Sequence, residues 1–435
     1  MFLPIILSEI YLLFILFLFF YGPWNWVIKN ETIFSMYIFS VYFSLFFGYL
    51  IGIVLETKFF KYKILEKKEN SFKNFKKKYF YLLIIVLTIS ILTIIFRTGS
   101  FFISRKDILN QGVLYYNLLS RKPTKIQLYV EYLRILCGPI IFFINIVYFN
   151  NFNRLNRKLK ILGGFNLFLL PYLSLKLGID KYMIDFTLIV LISFLIFILK
   201  KKIKTLKLLL ATSLVLILVF IGFKQFCNRK LSRIVGTTML IKDDTSDTYS
   251  DRNNFLIKNL DEKTKDGVII LTSYLTQGYY GTSLALEEEY SPTYGFGHSM
   301  FLLENIKGIH PKIYQNSYLK KIEDKGWVYG YRWAGIYPWI ASDITFAGSL
   351  IVFYLWGLLL ALSFSEMIKR NSFISMGLFY TLIIGIIYFP ANNQLFQNPE
   401  AFFTTYFFII VFILKRFFKY TKKYKNNSIN YKRNV

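Results

Sequence analysis

The feature that most constrains this chain is a succession of apolar runs, each close in length to a membrane-spanning helix. A helix needs ~20 apolar residues to cross about 30 Å of hydrocarbon, and about ten runs meet that length. They lie near residues 3–22, 33–55, 79–97, 128–149, 160–178, 182–199, 205–223, 344–365, 373–390 and 400–416. The chain is 55% hydrophobic, as expected where lipid is the solvent. The sequence therefore predicts an all-α polytopic membrane protein with about ten transmembrane helices.

Basic residues collect in four places between or after these runs. The segments are KFFKYKILEKKENSFKNFKKK, NRLNRKLK, KKKIK and KRFFKYTKKYK. All four fall on one side if every run spans, and lysine and arginine favour the cytoplasmic side. This pattern predicts an even number of spans with both termini in the cytoplasm. It also accounts for the net charge of +28 without a nucleic-acid partner.

The same topology predicts four regions along the chain. Residues 1–223 form an N-terminal membrane bundle of about seven spans, and residues 224–342 form one large, partly helical extracytoplasmic loop. Residues 343–416 hold about three further spans, and residues 417–435 form a basic cytoplasmic tail. Within the loop, VIILTSYLTQGYYGTSLALE predicts a helix that lies on the outer membrane surface or dips into it.

Charged residues near membrane depth gather at the outward ends of the predicted spans. They are Arg97, Glu131, Arg134, Lys176, Asp180, Lys181, Asp185 and Asp343. A charge inside a bilayer costs ~2.5 kcal/mol or more, so such side chains normally face a cavity or one another. A polar chamber near the outer leaflet is one reading. The alternatives are lysines that snorkel from helix ends and a structural ion pair between Glu131 and Arg134.

The outward segments also carry residues suited to a sugar attached to phosphate. Arginine binds phosphate through a planar fork, and Arg97, Arg105, Arg121, Arg252 and Arg332 all lie on this side. His298 stands between glycines in SPTYGFGHSMFLLENI, where it is either a base for a sugar hydroxyl or a histidine bonded within a turn.

Aromatic residues crowd the end of the large loop, just before a predicted span. They are Trp327, Tyr329, Tyr331, Trp333, Tyr337 and Trp339. These rings either stack on sugar faces or form an interfacial aromatic belt. The sequence has no metal-ligand spacing of cysteines or histidines and neither GxxxxGK[ST] nor GxGxxG, so we expect no metal and no nucleotide cofactor.

Two stretches resemble a known family. SYLTQGYYGTSLALEEEYSPTYGFGHS and WAGIYPWIASDITFAG are similar to the large-loop region of bacterial O-antigen and capsule repeat-unit polymerases, the Wzy-type proteins. The resemblance is strongest across residues 270–350, and RTGSFFISRKDI and LGIDKYMIDF are weaker echoes. It implies a glycosyltransferase of the bacterial cytoplasmic membrane that acts on its outward face. Such enzymes transfer a growing glycan from undecaprenyl diphosphate to the next lipid-linked repeat unit.

The resemblance and the residue chemistry together suggest a set of roles. The expected catalytic residues are His298 as acceptor base or orienting group, Asp343 as its alternative, and Arg332 as a diphosphate clamp. The expected diphosphate or glycan contacts are Arg97, Arg105, Arg252, Tyr279, Tyr280, Tyr331 and Trp333. The expected partners are undecaprenyl-diphosphate-linked oligosaccharides and the bilayer, with a chain-length regulator and a flippase as further family partners.

Three other functions remain open at this stage. An O-antigen ligase shares the substrate chemistry and the overall plan. A flippase or exporter of lipid-linked sugars should carry charged residues through the depth of its spans, and here the span interiors are nearly free of charge. A membrane scaffold would not need the arginine and aromatic cluster.

Overall fold

The computed structural model describes residues 1–59, 70–103, 123–200, 213, 220–222, 224, 248–328 and 332–433, and these are almost entirely helical. The long helices are α1 (Leu3–Tyr21), α2 (Glu31–Phe59), α3 (Asn70–Thr98), α4 (Lys125–Asn151), α5 (Arg157–Leu177), α6 (Lys181–Lys200), α7 (Glu262–Ala285), α11 (Ile336–Arg370), α12 (Phe373–Tyr388) and α14 (Pro399–Arg433). Short helices are α8 (Met300–Lys307), α9 (Pro311–Asn316), α10 (Tyr318–Lys321) and α13 (Gln394–Gln397). Single 3₁₀ turns cover Phe152–Arg154 and Ile322–Lys325. Strand β1 (Trp24–Asn25) pairs antiparallel with β2 (Tyr249–Ser250).

Seven helices of the described residues are long and apolar enough to cross a membrane. They are Leu3–Tyr21, Glu31–Lys58, Phe75–Thr98, Lys125–Arg154, Lys181–Leu199, Ile336–Arg370 and Pro399–Phe418. Predicted spans 160–178 and 373–390 correspond to α5 and to the 16-residue α12, and predicted span 205–223 lies almost wholly outside the described residues. The structure confirms an all-α membrane protein in the part it describes, and the count of about ten spans stays a prediction.

Helices α2 and α11 cross at an unusually short distance because glycines face each other. A Cβ atom on Gly48 would lie 1.9 Å from the carbonyl oxygen of Tyr354, and one on Gly357 would lie 1.9 Å from that of Leu45. Small residues let membrane helices approach closely, where van der Waals contacts hold them together. This crossing brings the start of α11, and with it Asp343, into a fixed place in the bundle.

Ion pairs tie three helices together at one end of the bundle. Glu56 on α2 and Glu366 on α11 are both buried. Arg416 on α14 lies 2.8 Å from Glu56 and 3.4 Å from Glu366, and Lys415 lies 2.7 Å from Glu366. We call this the basic end, because Lys58 in the last turn of α2 and Lys369 and Arg370 in the last turn of α11 also lie here.

The opposite end of the bundle, which we call the loop end, carries residues 248–335. The Asn254 amide donates to the Tyr21 carbonyl at the end of α1, and the Asn392 amide donates to the Tyr274 hydroxyl on α7. The residues of α7 from Thr276 onward are all buried. The sequence predicted here a helix that lies on the outer membrane surface or dips into it. The second half of α7 packs against other parts of the protein, where Gly278 admits the backbone of Gly335 and Pro390.

Candidate functional site

The helix α11 is interrupted directly after Asp343. Ile344 has φ −140° and ψ 16°, and Thr345 has φ 71° and ψ 163°. This second conformation is almost restricted to glycine, and it costs ~1–3 kcal/mol in other residues. The Thr345 hydroxyl accepts a bond of 3.1 Å from the Gly348 amide and so caps the helix where it restarts. The interruption lies at the predicted boundary between loop and spans, and it leaves Asp343 at the end of a helical segment.

The carboxylate of Asp343 is enclosed by the loop TYGFGH. Its Oδ1 accepts hydrogen bonds from the Thr293 hydroxyl at 2.5 Å, the Gly295 amide at 2.9 Å and the Gly297 amide at 2.8 Å. Its Oδ2 accepts from the amide of His298 and from Nδ1 of the same residue, each at 2.9 Å. Five donors around two oxygens hold the carboxylate in its ionised form, because a carboxylate only accepts.

The loop sequence explains this wrapping. Tyr294 and Gly295 have φ of 54° and 85°, in the left-handed region that turns the chain back on itself. A Cβ atom on Gly297 would lie 2.2 Å from the Thr293 hydroxyl and 2.6 Å from Ser342. A glycine at 297 is therefore required for the loop to close on α11.

His298 links the carboxylate to α14. Since the ionised Asp343 can only accept, Nδ1 of His298 carries the proton and Nε2 is free to accept. Nε2 lies 2.7 Å from the hydroxyl of Tyr406, and the ring stacks on Phe402 with centroids 6.0 Å apart. The imidazole is 18% exposed and the carboxylate 10% exposed. An imidazole fixed in this tautomer can take up a proton at Nε2.

Tyr290 completes the cluster from the other side. Its hydroxyl donates to the main-chain oxygen of Asp343 at 2.8 Å. Burial raises the pKa of the Tyr290 phenol, and the negative charge of Asp343 raises it further. The phenol therefore keeps its proton near neutral pH and acts as a hydrogen-bond donor.

A separate cleft opens among α3, α4, α5, α6, α12 and α14 at the loop end. It encloses about 920 Å³, a volume that includes its open mouth. Four charged residues line it: Arg134 lies 2.5 Å from Glu400, and Lys181 lies 2.7 Å from Asp185. Three of the eight charged residues that the sequence placed at the outward ends, Arg134, Lys181 and Asp185, thus line one cleft.

The two sites lie on different faces of the first turns of α14. Successive residues of a helix are 100° apart, so Phe402 and Tyr406 share one face while Glu400 and Thr404 share another. The first face contacts His298, and the second lines the cleft. The helix therefore stands between the imidazole and the cleft.

Other predicted site residues lie in different surroundings. Arg97 pairs with Glu131, with one contact of 2.9 Å. The guanidinium of Arg332 lies over the indole of Trp327, 5.6 Å from its centroid, and lines a small depression together with Trp333. Arg252 pairs with two carboxylates of α7 at 2.5 Å each.

The tyrosines at 279 and 280 are packed inside the loop-end subdomain. The Tyr279 hydroxyl bonds the Tyr42 hydroxyl at 2.5 Å, and Tyr280 stacks on Trp26. Both rings are buried, so they leave no face for a sugar and support the subdomain from within. The predicted contacts Arg105 and Tyr331 lie outside the described residues.

Sequence reasoning missed Tyr406 and Glu400. Both stand in or beside an apolar run, where a single tyrosine or glutamate carries no pattern of its own. Within the described residues, no group of three or more histidine, cysteine, aspartate or glutamate side chains could hold a metal ion.

The fold and the two sites define a class: a multi-span helical membrane protein with a buried aspartate–histidine pair and a charged cleft at one end. No protein-family model matches the chain, and no curated protein or solved structure compared with it is similar.

Proposed function

We propose that this protein is a glycosyltransferase that polymerises lipid-linked oligosaccharide repeat units of an O-antigen or a capsule. The donor is a glycan on undecaprenyl diphosphate, and the acceptor is the next lipid-linked repeat. The observation that carries the proposal is the contact between TYGFGHS and YPWIASD. These two stretches carry the family resemblance, and they meet at the His298–Asp343 pair.

The chemistry follows from the tautomer of His298. An acceptor hydroxyl oxygen attacks the anomeric carbon of the donor and forms the new glycosidic bond. The bond from that carbon to the diphosphate oxygen breaks, and the diphosphate leaves with the electron pair. The proton of the acceptor hydroxyl passes to Nε2 of His298, directly or through the Tyr406 hydroxyl. Asp343 stabilises the resulting imidazolium, and positioning of the two substrates contributes the rest of the rate.

The proposed location is the bacterial cytoplasmic membrane, with the loop end outward. Lysines and arginines at the ends of α2 and α11 and on α14 gather at the basic end, which supports a cytoplasmic position for that end. Lipid diphosphate headgroups lie at the membrane surface, the level at which the loop end meets the spans. His298 and Asp343 at the loop end would then meet substrates that have already crossed the membrane.

Deletion of the gene tests the proposal directly. The cell's surface polysaccharide is run on a gel beside an extract of undecaprenyl-linked intermediates. We expect single repeat units at the surface and loss of the ladder, and complementation with His298→Gln should not restore the ladder at normal protein level. Accumulation of long lipid-linked polymer would show a ligase instead.

One observation favours a second candidate, a flippase of lipid-linked sugars. The cleft continues into the bundle with neutral polar side chains, and Asn166 donates to Asn145 at 2.9 Å in a buried pair. Thr381 lines the same cleft. A transporter needs a polar path at membrane depth. Single repeat units trapped on the cytoplasmic face of the deletion strain would establish this function and exclude the polymerase.

A further inference from the structure

The guanidinium of Arg134 lies in the cleft and has N–H groups that donate no hydrogen bond. Its side chain is 7% exposed. Nη2 donates to the Tyr182 hydroxyl and to Glu400, each at 2.5 Å, while Nη1 lies 3.7 Å from Glu131. Among the described residues, neither Nη1 nor Nε has a hydrogen-bond acceptor. Neither nitrogen is among the fully buried atoms without a partner, so both keep access to the cleft and can donate to a further anionic ligand.

A second cation and a helix end point into the same space. The Lys181 ammonium lies 2.7 Å from Asp185 and has three donors in all. Glu400 lies in the first turn of α14, whose N-terminus carries partial positive charge. The cleft thus combines the planar guanidinium of Arg134, the ammonium of Lys181 and the N-terminus of α14. This combination favours the binding of phosphate oxygens.

In this structure a carboxylate of the protein takes the place of the anion. Glu400 and Asp185 balance Arg134 and Lys181, so the lining is neutral overall. The Glu400 side chain is 26% exposed, against 7% for Arg134, so Glu400 is the member of the pair more accessible to water. A phosphate group can take its position on Arg134 if Glu400 turns outward into water. Glu400 therefore competes with the ligand.

Apolar side chains line the same cleft. They are Ile141, Phe142, Leu169, Leu170, Leu173 and Ile189. Charged and apolar side chains in one cleft match an amphiphile with an anionic headgroup, and a free anion would leave the apolar side chains uncovered.

From these contacts we infer that the cleft binds the phosphate headgroup and the first part of the chain of a polyprenyl-phosphate-linked glycan. If the proposed function is correct, this lipid is the acceptor. The reacting carbon of the donor is next to its diphosphate, whereas the reacting hydroxyl of the acceptor is several sugars from its own. Since α14 separates the cleft from His298, only the acceptor can occupy the cleft and still reach the imidazole.

Binding to the purified full chain in lipid nanodiscs tests the site without any activity assay. The probes are farnesyl diphosphate, the uncharged alcohol farnesol, and inorganic pyrophosphate. We expect farnesyl diphosphate to bind tightest, Arg134→Gln to weaken it by ~10- to 100-fold, and Glu400→Gln to strengthen it several-fold. Arg370→Gln, which removes the same charge at the basic end, should leave binding unchanged.

A single Arg134 variant leaves Glu400 unpaired and can fail to fold, so the double variant Arg134→Gln/Glu400→Gln provides the second measurement. It removes both charges together, and it should fold and still bind farnesyl diphosphate weakly. Equal binding of farnesol and farnesyl diphosphate, or wild-type affinity in the double variant, overturns the inference. Preference for inorganic pyrophosphate overturns the lipid part. If binding depends on Arg134 but deletion of the gene leaves the polysaccharide ladder intact, the proposed polymerase function is refuted and the binding site is supported.

Discussion

Replacing Asp343 with asparagine tests the enclosing loop and the catalytic pair together. The amide oxygen can take the place of Oδ1 and keep the bonds from Thr293, Gly295 and Gly297. The amide nitrogen cannot accept, so the bond from the main-chain N–H of His298 is lost, whereas the bond to its ring is reversed. A hydrogen bond to a charged group contributes ~1.5–3 kcal/mol, so we expect the free energy of unfolding to fall by about that amount.

The same substitution reverses the tautomer of His298. The amide nitrogen donates to Nδ1, which must then give up its proton to Nε2, and Nε2 can no longer act as a base. A wrong tautomer of this kind costs about 10⁴-fold in the aspartate–histidine pair of serine proteases, and we expect a loss of similar order here.

Two measurements on Asp343→Asn separate these effects. Thermal unfolding in detergent reports the loop, and the amount of polymer per molecule of protein in a deletion strain reports the chemistry. His298→Gln is the matched variant, because it keeps most donors to the carboxylate and removes only the base. A lower melting temperature with wild-type polymer would refute the catalytic role. Wild-type values in both measurements would refute the account of the enclosing loop as well.

Three further outcomes follow from the geometry. Tyr406→Phe removes the hydroxyl that contacts the imidazole and should lower polymer synthesis by ~10²-fold. Tyr290→Phe removes a hydroxyl from the same cluster and should change polymer synthesis only a few-fold. Equal effects of the two substitutions would contradict a role for the Tyr406 hydroxyl. Gly357→Ala places a methyl group 1.9 Å from a facing carbonyl oxygen. It should strongly reduce the amount of folded protein recovered by size-exclusion chromatography. The control Gly308→Ala meets open space and should behave as wild type. Arg416→Gln removes the shortest ion-pair contact of the buried Glu56 and leaves it with Lys369 at 3.8 Å. It should lower the free energy of unfolding by ~3 kcal/mol, the lower end of the cost of breaking a buried ion pair. Unchanged thermal melting would contradict this expectation.

Much of the fold could be predicted because membrane helices are specified by local composition. A run of apolar residues long enough to cross hydrocarbon predicts a helix without knowledge of its neighbours. The loop around His298 was also visible, since its glycines lie within a few residues of the histidine. Patterns among residues that are close together in the chain can be recognised in a single sequence.

The rest depends on contacts between distant residues. His298 and Tyr406 are 108 positions apart, and Arg134 and Glu400 are 266 positions apart. Neither pairing has a local pattern. The contact of Tyr280 is also non-local: the resemblance suggested it as a diphosphate or glycan contact, and its ring stacks on Trp26, which is distant in the sequence.

The ion pairs at the basic end also have a consequence for biosynthesis. Glu56 and Arg416 are 360 positions apart, so the carboxylate is synthesised long before its partner. Before α14 is synthesised, Glu56 and Glu366 lack Lys415 and Arg416, although Lys369 and Arg370 of α11 lie 3.8 and 3.9 Å from them. The shorter contacts from α14 form only when the last helix inserts. A chain truncated before Lys415 would lack these contacts, and the end of the α2–α11 pair would carry acidic charge that is less well compensated.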